Sequence, residues 1–517
     1  MKIFQTTVIY LLIFLTSGIH LVNGQVQFHK SIASGVSSKA TSIVVLSDQS
    51  YAIIGRRSQG LYFLRISSAG DTLLTRVFDI VDSDDAQIIQ NSNGTLSIAG
   101  TTNSYGQGGA EQYLFCIDLS GNILWAKTYG GGNNDFAQSL VKSSNGGYAI
   151  AGYTQSYGAG LADAYVVRID SSGDTLWTKV VGGTEVERAL SICEMNDGSF
   201  VIVGKSDGFG GLDNDLFVFK LDALGDTLWT KRFGGFSEDE GRLVRPTPDG
   251  GVLVVGVSGS FGDGGIYAVR LTSGGDSLWT KHYGGTCGEG PYAMQTTYDG
   301  GFIIAGETCS FGASAFNAFL LNIDSLGTVN WMKTYRFDSN VNNVFYGVQQ
   351  TTDGGYIAVG ASGSLLNPDL YLVKTDVNGD AGCGDSLVAV LENGTNTEVG
   401  PTTFSETSGG VQDSLPMSSN HGGTLAICTC LASVAVSEKW MDTPLNVHPN
   451  PGTEYLLTDI LSLNNQAVFK IYSLVGELLY HQTLTDEVIP IDYLVRGIYL
   501  LKIESDNHVW IEKFVKE

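Results

Sequence analysis

The sequence predicts an all-β fold: a seven-bladed β-propeller followed by a small immunoglobulin-like β-sandwich. Three observations predict it. A unit of about fifty residues recurs seven times. Each unit holds four short runs of strand character separated by turn residues. The seventh unit lacks its last run, and an unclaimed run of the same kind stands before the first.

The copy from Asp135 to Gly183 shows the unit most clearly. Its runs are AQSLVKS, YAIAGYT, DAYVVRID and LWTKVV. Asn145-Gly146-Gly147 joins the first two, and Asn-Gly supplies the positive φ of a tight hairpin. Ser171-Ser172-Gly173-Asp174 joins the last two. Consecutive apolar residues such as Ala149, Ile150 and Ala151 require cover on both faces of the sheet. A radial stack gives that cover, because each sheet packs between two neighbours.

Three markers count the copies. A glycine closes the second run at Gly55, Gly100, Gly152, Gly204, Gly256, Gly306 and Gly360. An aromatic residue opens the third at Tyr62, Tyr113, Tyr165, Phe217, Tyr267, Phe319 and Tyr371. A bulky residue marks the fourth at Phe28, Leu74, Trp125, Trp177, Trp229, Trp279 and Trp331. Phe28 precedes the first copy, and nothing of the kind follows Tyr371. The strand near Gln27 to Ile32 is therefore expected to complete the last blade.

The ends and the cysteines set the compartment. Residues 1–24 read as a secretory signal peptide, with Lys2, the apolar core VIYLLIFL and a small residue at Gly24. Export permits disulfides. Of seven cysteines, Cys287 and Cys309 fall in two loops expected on one face of the sixth blade, and Cys383 is a candidate partner for Cys428 or Cys430. Cys116 and Cys193 lie in strands and read as buried thiols. A net charge of −24 argues against nucleic acid as a partner.

Function is expected on loops rather than on the scaffold. The loop after the second strand is glycine-rich in most copies, as in SYGAGLADA. It should share a face with the link that enters each blade. Those links carry an acid 17 positions before the marker glycine, at Asp135, Glu187, Asp239 and Glu289, with Asn343 and Ser38 in blades seven and one. The four acids are the candidate ligand-binding residues, for a cation or a polyol. The competing reading is that acids at strand starts only cap turns. Asp213-Asn214-Asp215 offers oxygens for calcium but lacks a spaced calcium-loop pattern, so no cofactor is expected. Lysines two positions after the fourth-strand marker, such as Lys127 and Lys179, read as protection of open outer edges.

Residues 25–381 are assigned to the propeller and 382–440 to a polar linker. Two apolar runs in the linker, SLVAVLE and TLAICTCLASVAV, suggest a small docked hairpin. Residues 441–517 alternate like the strands of a sandwich. Three stretches there carry a resemblance: VHPNP with Pro449, Asn450 and Pro451; KIYSLVGE with Gly476; and RGIYLLKI with Gly497 and Tyr499, together with the terminal KFVKE from Lys513. This combination closely resembles the type A C-terminal sorting domain of type IX secretion cargo. His448 stands where tyrosine is more usual. The resemblance implies a Gram-negative source, the type IX machinery as a partner, and delivery to the outer-membrane surface or beyond. The repeats resemble bacterial extracellular β-propeller repeats, which implies a fold and no chemistry.

Catalytic and metal residues are not expected. Of seven histidines only His29 and His282 lie in the ring, both on outer strands, so a Ser-His-Asp triad or a histidine metal site is hard to build. The expected function is a secreted, non-catalytic binding or adhesion module with a glycan or protein ligand on the loop face. Two alternatives stay open. One is a glycan-active enzyme using carboxylates that face each other across the ring; the other is a structural surface protein.

Overall fold

The computed structural model describes residues 26–33, 37–57, 60–80, 86–207, 214–261, 264–311, 315–337, 341–364, 367–382, 384–388, 391–395, 405–407, 411–414, 419–421, 426–431, 447–448, 455–458, 468–473, 478–483, 488–505 and 508–516. The signal peptide, Cys383, Pro449, Asn450, Pro451 and Gly476 lie outside these residues. Among them every regular element is a β-strand, and the chain divides into two units, Met1–Ala432 and Ser433–Glu517.

Seven antiparallel sheets make up the first unit. In blade 3 the strands run from the innermost to the outer as Asp135–Lys142, Tyr148–Thr154, Asp163–Ile169 and Thr175–Gly182. In blade 7 the first three strands are Asn342–Gln350, Tyr356–Ser364 and Asn367–Thr375, and Phe28–Ala33 pairs beside the third, with Phe28 opposite Lys374. The N-terminal strand thus takes the place its sequence markers indicate. The core lies between blades rather than within any one of them. Ile357, Val359, Leu370 and Leu372 of blade 7 pack with Ile43, Ile53, Tyr62 and Leu64 of blade 1, so packing continues around the ring.

One contact recurs at the blade junctions and explains two of the repeat's segments. The fourth-strand tryptophan lies beneath the turn between the third and fourth strands of the next blade. A Cβ on Gly173 would lie 2.8 Å from the Trp125 ring, and one on Gly225 would lie 3.0 Å from the Trp177 ring. Gly173 has φ +85°, so that turn takes glycine on two counts. The Trp177 indole N–H donates to Ala223 O of the next blade, and the Tyr129 hydroxyl donates to Gly173 O. The lysine two places on reaches the same turn: Lys127 pairs with Asp174 at 2.7 Å and Lys231 with Asp276 at 3.1 Å. These lysines tie neighbouring blades together, which corrects the expectation that they shield open edges.

Six of the seven outer edges are occupied among the described residues. Short strands from the segment assigned to a linker pair with them, running back round the ring in reverse blade order. Asp385–Leu387 joins blade 6, Leu391–Thr395 blade 5, Ser405–Thr407 blade 3, Val411–Ser414 blade 2, Ser419–His421 blade 1 and Ala426–Leu431 blade 7. Blade 4 has four strands among the described residues. The two apolar runs expected to form one hairpin therefore pair with separate blades. A strand edge with unpaired N–H and C=O groups attracts any extended chain, and here the chain supplies its own.

The second unit holds two small sheets. Val447–His448, Tyr455–Thr458 and Val488–Pro490 form one; Val468–Ser473, Leu478–Thr483, Gly497–Ser505 and His508–Lys516 form the other. Leu456 and Ile489 from the first pack against Phe469, Ile471, Leu501, Ile503 and Phe514 from the second, giving a sandwich. Tyr499 is buried in that core, and its hydroxyl donates to Val495 O at 2.8 Å.

Candidate functional site

The four acids begin the innermost strands of blades 3 to 6, and all four are buried. Each accepts hydrogen bonds from the scaffold, while Asp239 Oδ1 and Glu289 Oε2 are buried without a partner. Asp135 accepts from Gly131 N–H at 2.7 Å, from Ser156 Oγ at 2.8 Å and from Thr154 Oγ1. Glu187 accepts from Gly183 N–H at 2.7 Å and Ser206 Oγ at 2.9 Å. Asp239 accepts from Gly235 N–H and Ser260 Oγ, and Glu289 accepts from Gly285 N–H, Thr308 Oγ1 and Ser310 Oγ. Blade 7 repeats the pattern with an amide, where Asn343 Oδ1 accepts from Phe337 N–H and Ser362 Oγ. The shared element is the clasp of the entering link, Gly-Gly in blades 3 to 6 and Arg336-Phe337 in blade 7, onto the end of the second strand. Burial pushes the carboxyls of Asp135, Glu187 and Glu289 above their ordinary range, and the hydroxyl and amide donors pull them partly back.

The glycine-rich loops and the links do share one face. Asn133 N–H, in the link, donates to Ser156 Oγ in the following blade's loop, and Leu161 N–H donates to Glu185 O. Cys287 and Cys309 are joined by a disulfide on that face, with Cα atoms 5.5 Å apart. Cys116 and Cys193 are free and buried. Cys428 and Cys430 lie in the fifth strand of blade 7, opposite Ser31 and His29. Among the described residues no group of three His, Cys, Asp or Glu is placed to hold a metal ion.

A different set of residues faces the central channel. Each innermost strand except that of blade 2 shows a register break just after its start, as between Ala137 and Ser139. Such a bulge leaves one residue outside the ladder and turns it away from the partner strand. The bulged residues are Thr41, Gln138, Leu190, Arg242, Tyr292 and Tyr346, and all six line a channel cavity of about 460 Å³. The marker glycine is what admits the bulge. A Cβ on Gly152 would stand 1.7 Å from Phe136 O, and one on Gly204 1.7 Å from Arg188 O.

Sequence reasoning passed over this position because it searched for what repeats. Aligned on the marker glycine, the residue 14 places before it reads Thr, Gln, Leu, Arg, Tyr and Tyr. The signal was variation beside an invariant bulge.

Three of these side chains form a connected group. The Tyr292 and Tyr346 rings lie 5.2 Å apart; the Arg242 guanidinium stands 5.5 Å from the Tyr292 centroid, and the Lys39 ammonium 5.3 Å from that of Tyr346. Arg242 Nε donates to Glu240 at 3.1 Å, and the Tyr292 hydroxyl donates to Glu307 at 2.8 Å. Burial raises the Glu307 carboxyl, while the Tyr292 hydrogen bond and the Arg242 charge lower it. Burial and the adjacent Glu307 push the Tyr292 hydroxyl up. A second cavity of about 550 Å³ opens over blades 4 to 6 on the loop face and shares Glu240, Arg242 and Tyr292 with the channel. Glu289 lines this second cavity; Asp135, Glu187 and Asp239 line neither.

Comparison with known proteins separates the two units. The regulatory protein FlaEY of Caulobacter vibrioides is 28% identical over 183 residues, covering 30% of this chain and 19% of that protein. The chain thus spans about a fifth of that relative's length. Among solved structures, PorZ, an essential surface component of the type IX secretion system of Porphyromonas gingivalis, is 13% identical, with 92% of this chain and 74% of that one covered at a TM-score of 0.34. The α-L-arabinofuranosidase Arb93A of Fusarium graminearum is 8% identical, covering 68% of this chain and 99% of its own at 0.36. Sqt1 of Chaetomium thermophilum is 11% identical, covering 70% and 90% at 0.39. Likenesses of this size carry no argument about chemistry. The C-terminal unit is matched directly, since residues 446–517 fit the model of the secretion system C-terminal sorting domain. The chain therefore carries a sorting domain of that family, which makes it a cargo-type protein of the type IX route, exported to the cell surface or the extracellular space.

Proposed function

We propose that the ring is a binding module whose ligand enters the central channel from the loop face. The observation that supports this reading is the bulged position. A repeated device, marker glycine plus bulge, points one variable side chain from each of six blades into a common cavity. Variable residues on an invariant scaffold are how a repeat fold sets specificity without altering its packing. The channel offers hydroxyl, amide, cationic and aromatic groups, a mixture suited to a polar ligand such as a glycan. The four buried acids serve as clasps in this reading.

A glycan array probed with the intact ring, combined with an assay for reducing-sugar release, tests it. Binding without turnover is expected. It should be lost in Arg242→Ala and Tyr346→Ala and kept in Asp135→Asn. Turnover, or binding indifferent to both channel variants, would overturn the proposal.

A further inference from the structure

We propose that the channel ligand is an acidic glycan, held by a carboxylate or sulfate at Arg245 on the innermost strand of blade 5. This rests on the binding-module reading and names the charge of the ligand. The chain as a whole carries a net charge of −24, yet the channel cavity has the opposite sign. Lys39, Arg242 and Arg245 line it together with one acid, Glu240. A recess lined by one sign of charge concentrates ions of the other.

Arg245 departs from the pattern of the repeat. At its place relative to the marker glycine, blades 1 to 4 carry Val44, Ile89, Val141 and Cys193, and blades 6 and 7 carry Gln295 and Gln349. The two glutamines stitch blades together. Gln295 Oε1 accepts Gln350 N–H at 2.7 Å, and Gln349 Oε1 accepts Val45 N–H at 2.8 Å. A guanidinium has no acceptor, so blade 5 forgoes that bond. Arg65, Arg232, Arg242 and Arg270 each pair with a carboxylate. Arg245 pairs with none among the described residues. Its one hydrogen bond runs from Nη1 to the neighbouring Val244 O at 2.8 Å, and Nε and Nη2 keep accessible surface without a partner. Burial lowers the guanidinium pKa, which an anion beside it would raise again.

The oxygens of the wall are largely taken. Ser42, Ser139 and Ser191 Oγ accept backbone N–H groups of the next blade, and Gln87 Oε1 accepts Leu140 N–H. Donors are what remain: Arg242 uses only Nε on Glu240, and its terminal nitrogens are unused. A carboxylate or sulfate brings acceptors in the geometry that a guanidinium fork fits. The Tyr292 and Tyr346 rings, 5.2 Å apart in the same lining, offer aromatic faces to the apolar face of a sugar ring. They favour an anion carried on a sugar over a free inorganic ion.

Calorimetric titration of the full chain with digalacturonate, its methyl ester, sulfated lactose and lactose tests this. At least one charged sugar is expected to bind, with its neutral counterpart weaker by about tenfold or more. The tighter of the two charged sugars identifies the anion. Arg245→Gln copies blades 6 and 7, and Arg242→Gln copies Gln138 of blade 3, so neither brings in a residue foreign to its place. Each should weaken binding of the charged sugar by about tenfold or more, the size of one charge-assisted hydrogen bond. Charged and neutral forms binding alike would overturn the proposal. So would affinity unchanged in Arg245→Gln, or no binding of either charged sugar at about 10 mM, weaker than typical millimolar ligands. Array binding shared equally by neutral and acidic glycans, and lost in Tyr346→Ala, would refute this site and leave the channel reading intact; an array with no glycan bound would refute both.

Discussion

Replacing Gly152 with alanine should unfold more than one residue's worth of structure. Gly152 faces Ala137 across the break in the innermost strand of blade 3, and Phe136 O lies where the new methyl would go, 1.7 Å away. A carbon and a carbonyl oxygen rest at about 3.3 Å or more, so the strands must part by roughly 1.5 Å. Backbone cannot yield as a flexible side chain does. The displacement removes about two ladder hydrogen bonds near 1 kcal/mol each, and overpacking adds about 1–3 kcal/mol. The expected loss is about 3–5 kcal/mol, large for a one-carbon change. Urea unfolding of the ring, followed by tryptophan fluorescence, gives the value. Gly146→Ala is the control. Gly146 has φ +96° but nothing within 4 Å of a new Cβ, so its cost is conformational alone, about 1–2 kcal/mol. If Gly152→Ala costs no more than Gly146→Ala, the bulge does not depend on that glycine and the account of the channel residues fails with it.

Four further outcomes are expected. Trp177→Ala should lower stability by about 2–3 kcal/mol, less than a fully buried tryptophan, by emptying the space beneath Gly225; Lys127→Ala at the exposed pair with Asp174 should cost under about 1 kcal/mol. In thermal melts across pH, stability should rise as pH falls from neutral. Asp135, Glu187 and Glu289 have raised pKa values, so each binds more protons folded than unfolded; that stabilisation is complete below the ordinary carboxyl value near 4 and is lost as pH rises through the folded pKa. The turn acids Asp48, Asp197 and Asp249, lowered first by hydrogen bonds from Ser50, Ser199 and Thr247, act oppositely and lose their contribution below about 4. Asp135→Asn, which copies Asn343, should flatten the neutral limb, and an unchanged profile would count against burial as the cause. Finally, the mature exported chain should end after Leu431, as read by intact mass. Residues up to that point are paired into the ring's ladders, and a terminus before Ala426 would contradict this.

How much of this was legible in the sequence depended on the range of the interaction. Blade number, the turn residues and the N-terminal strand in blade 7 follow from local patterns that recur, and local patterns are what a sequence displays. The acids were visible for the same reason, and their repetition alone does not separate a ligand site from a strand-start cap. In blades 3 to 6 the acid clasps a Gly-Gly link, and in blade 7 Asn343 holds Phe337 N–H in the same way. The fifth strands were illegible because they have no periodic signal of their own. They are three to six residues long, and what defines each is a partner strand far away in sequence, as Ser405–Thr407 on Thr175–Gly182.

The same distinction bears on where specificity can change. A residue that repeats in most blades answers to packing between blades, so altering it costs stability before it alters binding. The serine at this position in blades 1, 3 and 4 also serves packing, as Ser139 and Ser191 accept Ile192 N–H and Val244 N–H from the next blade's innermost strand. The bulged residue one place earlier has no ladder partner in its own sheet. It reads Thr41, Gln138 and Leu190 beside the three stitching serines, while beside Arg242, Tyr292 and Tyr346 the stitching position is Leu243, Ala293 and Gly347. In blades 1, 3 and 4 the channel-facing residue and the one that stitches the next blade are thereby adjacent on one strand, which lets the first vary while the second holds the junction.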